Sequence, residues 1–194
     1  MATRDTVVRV AVDRFCSVGY AGTSMRDIAR AAGIRPASIY NHFVSKEEIL
    51  WEVFQQATSA ITVMQAEARD ALPEGAGIEE RVRAFVRTHA LYHTTYGRLA
   101  VVSHTQLVSL EEIHRASAIG WRDDYEHSLR VLVEAGMIDG VFDVPDAKMY
   151  SFAIIQMGLS IATWYRPDGS LGPDAVADHY EEIAARMIGL RRPV

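Results

Sequence analysis

The sequence holds a single cysteine, Cys16, in 194 residues. One thiol cannot form a disulfide within its own chain, which suits a reducing compartment, and Cys16 reads as a small buried hydrophobe in a helical stretch. Long uncharged apolar runs are also missing, and the first residues lack the apolar core of an export signal. The expectation is therefore a cytoplasmic protein without a membrane segment. Glycine loops that cradle phosphate are absent: there is no GxxxxGK[ST] or GxGxxG, and Gly75-Ala76-Gly77 lacks both a third glycine and a preceding strand. Gly158-Leu159-Ser160-Ile161-Ala162 has a nucleophile elbow's outline but lies within a helical pattern. No catalytic residue, cofactor or metal is assigned, and the chain reads as a non-enzyme.

What is present begins with 49% hydrophobic residues, enough for the packed core of one or two small domains. The net charge of −5 excludes a protein that is basic throughout. Its distribution is uneven: residues 1–50 hold seven Lys/Arg against five Asp/Glu, or +2, and the remainder thirteen against twenty, or −7. A mildly basic head on an acidic body fits phosphate contact at one end.

The stretch Thr23–Lys46 organises that head. Ser24 caps a first helix, with Asp27 three positions on to complete a capping box. Met25, Ile28 and Ala29 recur at helical spacing, Gly33 ends the helix, and Pro36 sits where a second one would open. Helix, glycine turn and helix is the helix-turn-helix pattern, whose second helix enters a DNA major groove. That second helix, Pro36–Phe43, offers Arg35, Ser38, Tyr40, Asn41 and His42, with Lys46 just beyond, while Ile39 and Phe43 form an inward pair. Hydroxyl, amide and cationic groups are what phosphate and base-edge contacts require. By spacing alone, a polar turn between two core helices remains the alternative.

The residues Thr23-Ser24-Met25-Arg26-Asp27-Ile28-Ala29, Ala32-Gly33-Ile34, Ser38-Ile39-Tyr40-Asn41-His42-Phe43 and Ser45-Lys46-Glu47-Glu48 resemble the signature of the tetracycline-repressor (TetR) family of bacterial regulators. The resemblance implies an all-α homodimer with an N-terminal three-helix DNA-binding domain, 1–50, and a C-terminal helical ligand-binding and dimerisation domain, 51–194. It departs at Arg35, where the family usually caps the recognition helix with serine or threonine. Arginine cannot accept those N–H bonds, but adds positive charge near DNA. Ser24, Arg26, Ser38 and Lys46 are assigned mainly to phosphate, and Arg35, Pro36, Tyr40, Asn41 and His42 to the groove.

Helix one is predicted over Arg4–Val18, with Val7, Val8, Ala11, Phe15 and Val18 inside. Ser45-Lys46-Glu47-Glu48 opens a long helix that runs to the break at Pro73–Gly77. Further helices are predicted over Glu79–Tyr96, over Leu99–Leu107, and from a Ser109 cap to Gly136, with Ile113, Trp121, Tyr125, Leu129 and Leu132 inward. Residues 147–165 are apolar all round, so more than one face must be buried. Pro173 opens a final amphipathic helix carrying Val176, Tyr180, Ile183, Met187 and Leu190. Two such helices from each of two chains would make a four-helix interface using Ile154, Ile161, Tyr165, Tyr180, Ile183 and Met187. A buried central helix in a monomer is the alternative.

The body is rich in aromatic and imidazole groups. His93, Tyr96, Trp121, Tyr125, Phe152, Met157, Trp164 and Arg166 are candidates for a pocket that takes a small hydrophobic effector. His89 and His93, spaced i, i+4, have metal-ligand spacing, but no third donor lies in their helix. Val141-Phe142-Asp143-Val144-Pro145, the apolar helix and Trp164-Tyr165-Arg166-Pro167-Asp168-Gly169 are similar to TetR-type regulators of fatty-acid and sterol breakdown. That resemblance implies an acyl-coenzyme A effector, with Arg98, Arg122 or Arg166 meeting coenzyme phosphates. The partners expected are thus an operator duplex, the effector and a second copy of the chain. A regulator of an efflux gene, or a small helical enzyme using the His-rich body, are the alternatives.

Overall fold

In the computed structural model, which describes residues 4–189, every regular element is helical. Helix α1 (Arg4–Val18) buries Val7, Val8, Ala11, Val12 and Phe15. Val18, expected inside, is 47% exposed. It lies in the last turn, where Gly19 at φ +85° carries the chain away from the core.

Helix α2 (Met25–Ala31) starts as its sequence dictates. The Ser24 hydroxyl accepts from the Asp27 N–H, and the Asp27 carboxylate accepts from the Ser24 N–H. It ends in a Schellman motif: Ile34 N–H reaches the Ala29 carbonyl and Gly33 N–H the Arg30 carbonyl, with Gly33 at φ +70°.

The second helix of the motif is not α-helical. Residues Ser38–Asn41 form a single 3-10 turn that follows the turn at Pro36-Ala37. No side chain caps it, because its N-cap position is Ala37, which has no acceptor, and Arg35 lies ahead of the turn. Ile39 and Phe43 are buried as predicted.

Helix α3 (Lys46–Asp70) begins beneath the Ser45 hydroxyl, which accepts the Glu48 N–H, while the Glu48 carboxylate reaches back to the Val44 N–H. The chain continues as α4 (Ile78–Thr95), α5 (Gly97–Thr105), α6 (Glu112–Ile138), α7 (Ala147–Leu159), α8 (Ile161–Trp164) and α9 (Pro173–Met187). Two expectations fail at the start of α6. Ser109 does not cap it but lies in a 3-10 turn, Leu107–Ser109. Ile113, in the first turn, is 72% exposed rather than inward. The helix predicted over 147–165 is broken at Ser160, whose hydroxyl bonds the Met157 carbonyl at 2.6 Å and competes with the helical ladder. Leu190 lies outside the described residues.

The described residues fall into two compact units. One runs through Ser59 and includes Arg98–Ile119; the other comprises Ala60–Gly97 and Gly120 onward. Helices α3 and α6 contribute residues to both. In the second unit α4 packs on α7 and α9. Its core gathers Val82, Phe85, Leu129, Val133, Ile154 and Ile188. Ion pairs from Arg83 to Glu181 and from Arg87 to Asp174 and Asp178 join α4 to α9.

Candidate nucleic-acid interface and effector site

The first unit places a short, mostly exposed ridge at the end of its helix-turn-helix. Arg26, Arg35, Pro36, Tyr40 and Asn41 are exposed, and Ser38 and His42 half-buried. Tyr40, at 54% exposure, stands on the outer side of a turn whose inner side is Ile39. This is an aromatic hydroxyl held outward by a buried neighbour, with guanidinium and amide groups beside it.

Two residues assigned to phosphate are engaged elsewhere. The Ser24 hydroxyl donates to Asp27 Oδ2 at 2.6 Å, so its one proton is committed to the cap. That bond, followed by the Ser24 N–H, holds Asp27 below the usual carboxylate range. Lys46 Nζ donates to the carbonyls of Tyr20 at 2.8 Å and Thr23 at 2.9 Å, and lies 4.1 Å from the Tyr20 ring centroid. Burial lowers its pKa. With two of three donors used, Lys46 first fixes the loop between α1 and α2 and has one N–H left for phosphate.

Arg4, unassigned by sequence, holds the other end of the turn. Its guanidinium donates to the His42 carbonyl at 2.7 Å, pairs with Glu52 at 2.8 Å and lies 4.0 Å over the Phe43 ring. The Glu52 bond, opposed by burial, raises its pKa. The only sequence signal was a cation in the first turn of α1, since its partners lie 38 and 48 residues on. Arg98, a candidate for coenzyme phosphate, pairs with Asp13 in this unit.

The second unit contains a polar chain through an apolar core. Gln65 Nε2 donates to the Tyr125 hydroxyl at 3.0 Å, which lies 2.9 Å from His89 Nδ1, and His89 Nε2 lies 3.1 Å from the Ile155 carbonyl. Burial pulls the His89 pKa down to about 4, against the Ile155 bond, so the ring is neutral near pH 7. A carbonyl only accepts, so Nε2 carries the hydrogen and bare Nδ1 accepts the proton of Tyr125. Burial pushes the Tyr125 hydroxyl far up, so it stays protonated. Gln65 was not foreseen; a lone amide among apolar positions was its signal. Both His89 nitrogens are taken and its ring meets His93 edge-on at 4.6 Å, which removes the pair as a metal site. Gly158 permits the approach of α7, because a Cβ there would lie 2.2 Å from the His89 ring.

The remaining effector candidates divide. His93 is buried, and Trp121, Tyr125 and Met157 are half-buried. Tyr96, Phe152, Trp164 and Arg166 are exposed. Phe152, at 51% exposure, thus lies on an outer face rather than in the interior. Trp164 Nε1 reaches the Tyr180 hydroxyl at 3.3 Å. Of the interface candidates, Ile154 and Ile161 are 1% and 0% exposed. They belong to the chain's own core and cannot present side chains to a second copy. Tyr165, Tyr180 and Met187 are half-buried and Ile183 is exposed.

Residues 7–53 match the family described as bacterial regulatory proteins, tetR family, and residues 75–188 match the tetracyclin repressor-like C-terminal domain. The HTH-type transcriptional repressor KstR2 of Rhodococcus jostii is 28% identical over 98% of this chain and 92% of its own. The crystal structure of the TetR family regulator PfmR from Thermus thermophilus has a TM-score of 0.83 at 32% identity, covering 96% of this chain and 99% of that one. AibR, solved with isovaleryl coenzyme A and operator DNA, shares the fold, with a TM-score of 0.83 at 23% identity over 97% of this chain and 99% of that one. Among the described residues no helix is long and apolar enough to cross a membrane. The chain belongs to the TetR family of bacterial transcriptional regulators, DNA-binding proteins rather than enzymes.

Proposed function

We propose that this chain is a cytoplasmic, homodimeric repressor, released from a palindromic operator by a small hydrophobic effector of the acyl-coenzyme A class. Residues 1–50 serve as the DNA-binding head and residues 51–194 as the ligand-binding and dimerisation body. The observation that carries the DNA half is the outward ridge Arg35–Asn41, fixed from behind by Ile39, Phe43 and Arg4. Paired ridges in a twofold dimer suit two half-sites about one DNA turn apart. The dimer is supported by α7, whose inner side holds Ile154 and Ile155 while Met149 and Phe152 remain 60% and 51% exposed. Exposed apolar side chains one helical turn apart, with exposed Ala153 beside them, suit an interaction surface.

The effector class is supported by the aromatic and imidazole interior and by Arg122. That side chain is exposed, and partial desolvation lowers its pKa. A guanidinium so placed suits a phosphate, and half-buried Trp121 is its neighbour in sequence. The same fold in AibR accompanies isovaleryl coenzyme A. Release follows only if the effector prefers the form that does not bind DNA.

Native mass spectrometry of the purified protein, followed by titration of an operator complex with acyl-coenzyme A thioesters of graded chain length, tests this. An acyl-thioester adduct and saturable DNA release are expected. Release by cationic drugs and by no thioester would favour the efflux-regulator reading.

A further inference from the structure

Glu47, in the first turn of α3, and Glu111 and His114, at the start of α6, bring their ligand atoms within 4.8 Å of one another. All three belong to the first unit. Glu47 Oε1 lies 2.8 Å from His114 Nδ1 and also accepts the Glu111 N–H at 3.1 Å. His114 is stacked on Trp51, with ring centroids 4.4 Å apart and planes 6° from parallel.

We propose that Glu47, Glu111 and His114 form a site for a divalent transition-metal cation of the zinc type. One imidazole nitrogen with two carboxylates is a donor set that such borderline cations take, leaving room for water. Donors about 2.0–2.2 Å from a shared ion lie roughly 3 Å apart, so His114 Nδ1 and Glu47 Oε1 already stand near ligand spacing. The Trp51 stack fixes the imidazole plane, the orienting role that a surrounding shell plays for metal-binding histidines. The local field is negative: after burial, Glu47 and Glu111 together push the Tyr20 hydroxyl up. Lys46, the adjacent cation, directs its ammonium to the Tyr20 and Thr23 carbonyls. A bound cation would replace the His114–Glu47 hydrogen bond and cross-link the first turn of α3 to the start of α6. The first turn of α3 follows directly on the groove-facing ridge, so occupancy would stiffen the head.

The test uses the full chain, stripped with chelator and titrated near neutral pH with Co²⁺ and Zn²⁺ separately. Calorimetry should show one Zn²⁺ per chain, and Co²⁺ should quench part of the tryptophan emission saturably, because Trp51 lies against the ligand histidine. Glu111→Gln and His114→Gln should each weaken binding roughly tenfold or more. Among the described residues the Glu111 carboxylate makes no hydrogen bond or ion pair, so the unfolding midpoint of Glu111→Gln without metal should match that of the parent chain. That control separates lost metal from lost structure. Absence of saturable binding at millimolar metal, or binding undiminished in either variant, would overturn the proposal.

Discussion

Tyr125 gives its hydroxyl proton to His89 across 2.9 Å, and through that bond four helices are tied by polar contacts inside an apolar core. Gln65 on α3 supplies the donor to Tyr125, and Ile155 on α7 accepts from His89. Tyr125→Phe removes the link and leaves His89 Nδ1 buried without a donor. An unsatisfied buried acceptor costs about 1–3 kcal/mol, so urea unfolding should show a loss of that order. An unchanged midpoint would mean that the network contributes nothing.

The same histidine sets an acid limit. His89 titrates near 4 in the folded chain and near the ordinary 6.5 when unfolded. Between those values the unfolded chain binds the extra proton, so stability is fully present above about pH 6.5 and is lost as pH falls toward 4. The full loss is on the order of 3 kcal/mol. His89→Gln should flatten this part of the stability profile. Equal slopes in the two proteins would contradict it.

In the head, Tyr40→Ala should weaken operator binding with little change in thermal midpoint, because the ring is outward. Lys46→Ala should instead lower the midpoint as well as the affinity, since its ammonium holds the Tyr20 and Thr23 carbonyls. Ser24→Ala should cost about 1 kcal/mol of stability through the lost cap. Gel-shift titration and thermal melts of the same samples separate these effects.

On α7 two neighbouring positions should behave oppositely. Phe152→Glu, on the exposed face, should yield a folded monomer by sedimentation velocity, whereas Ile154→Glu should fail to fold because it places a charge in the core. A dimeric Phe152→Glu variant would move the interface elsewhere.

Much of the fold was legible where the signal is local. The Ser24–Asp27 box, the stop at Gly33, the Ser45 cap and Pro173 at the head of α9 each act within a few residues, and each stands where its side chains require. The second helix of the motif is not legible from sequence, because its polar composition and Pro36 suit an α-helical first turn, whereas nothing caps it and it closes after one 3-10 turn. Ile154 shows the other limit. A helix that is apolar all round gives no phase, so sequence could not say that Ile154 faces inward and Phe152 outward. The partners of Arg4, Lys46 and Glu47 lie 23 to 67 residues away, beyond any local pattern. Sequence therefore assigns Lys46 to phosphate alone, and Arg4 and Glu47 to no ligand at all, although the fold engages all three itself.

The most direct measurement is selection of bound duplexes from a random library by the purified full-length chain. The account predicts enrichment of an inverted repeat with half-site centres about one turn, roughly 10–11 base pairs, apart, bound by two chains and lost with Tyr40→Ala. Failure to enrich any sequence, or enrichment of a lone half-site bound by one chain, would contradict it.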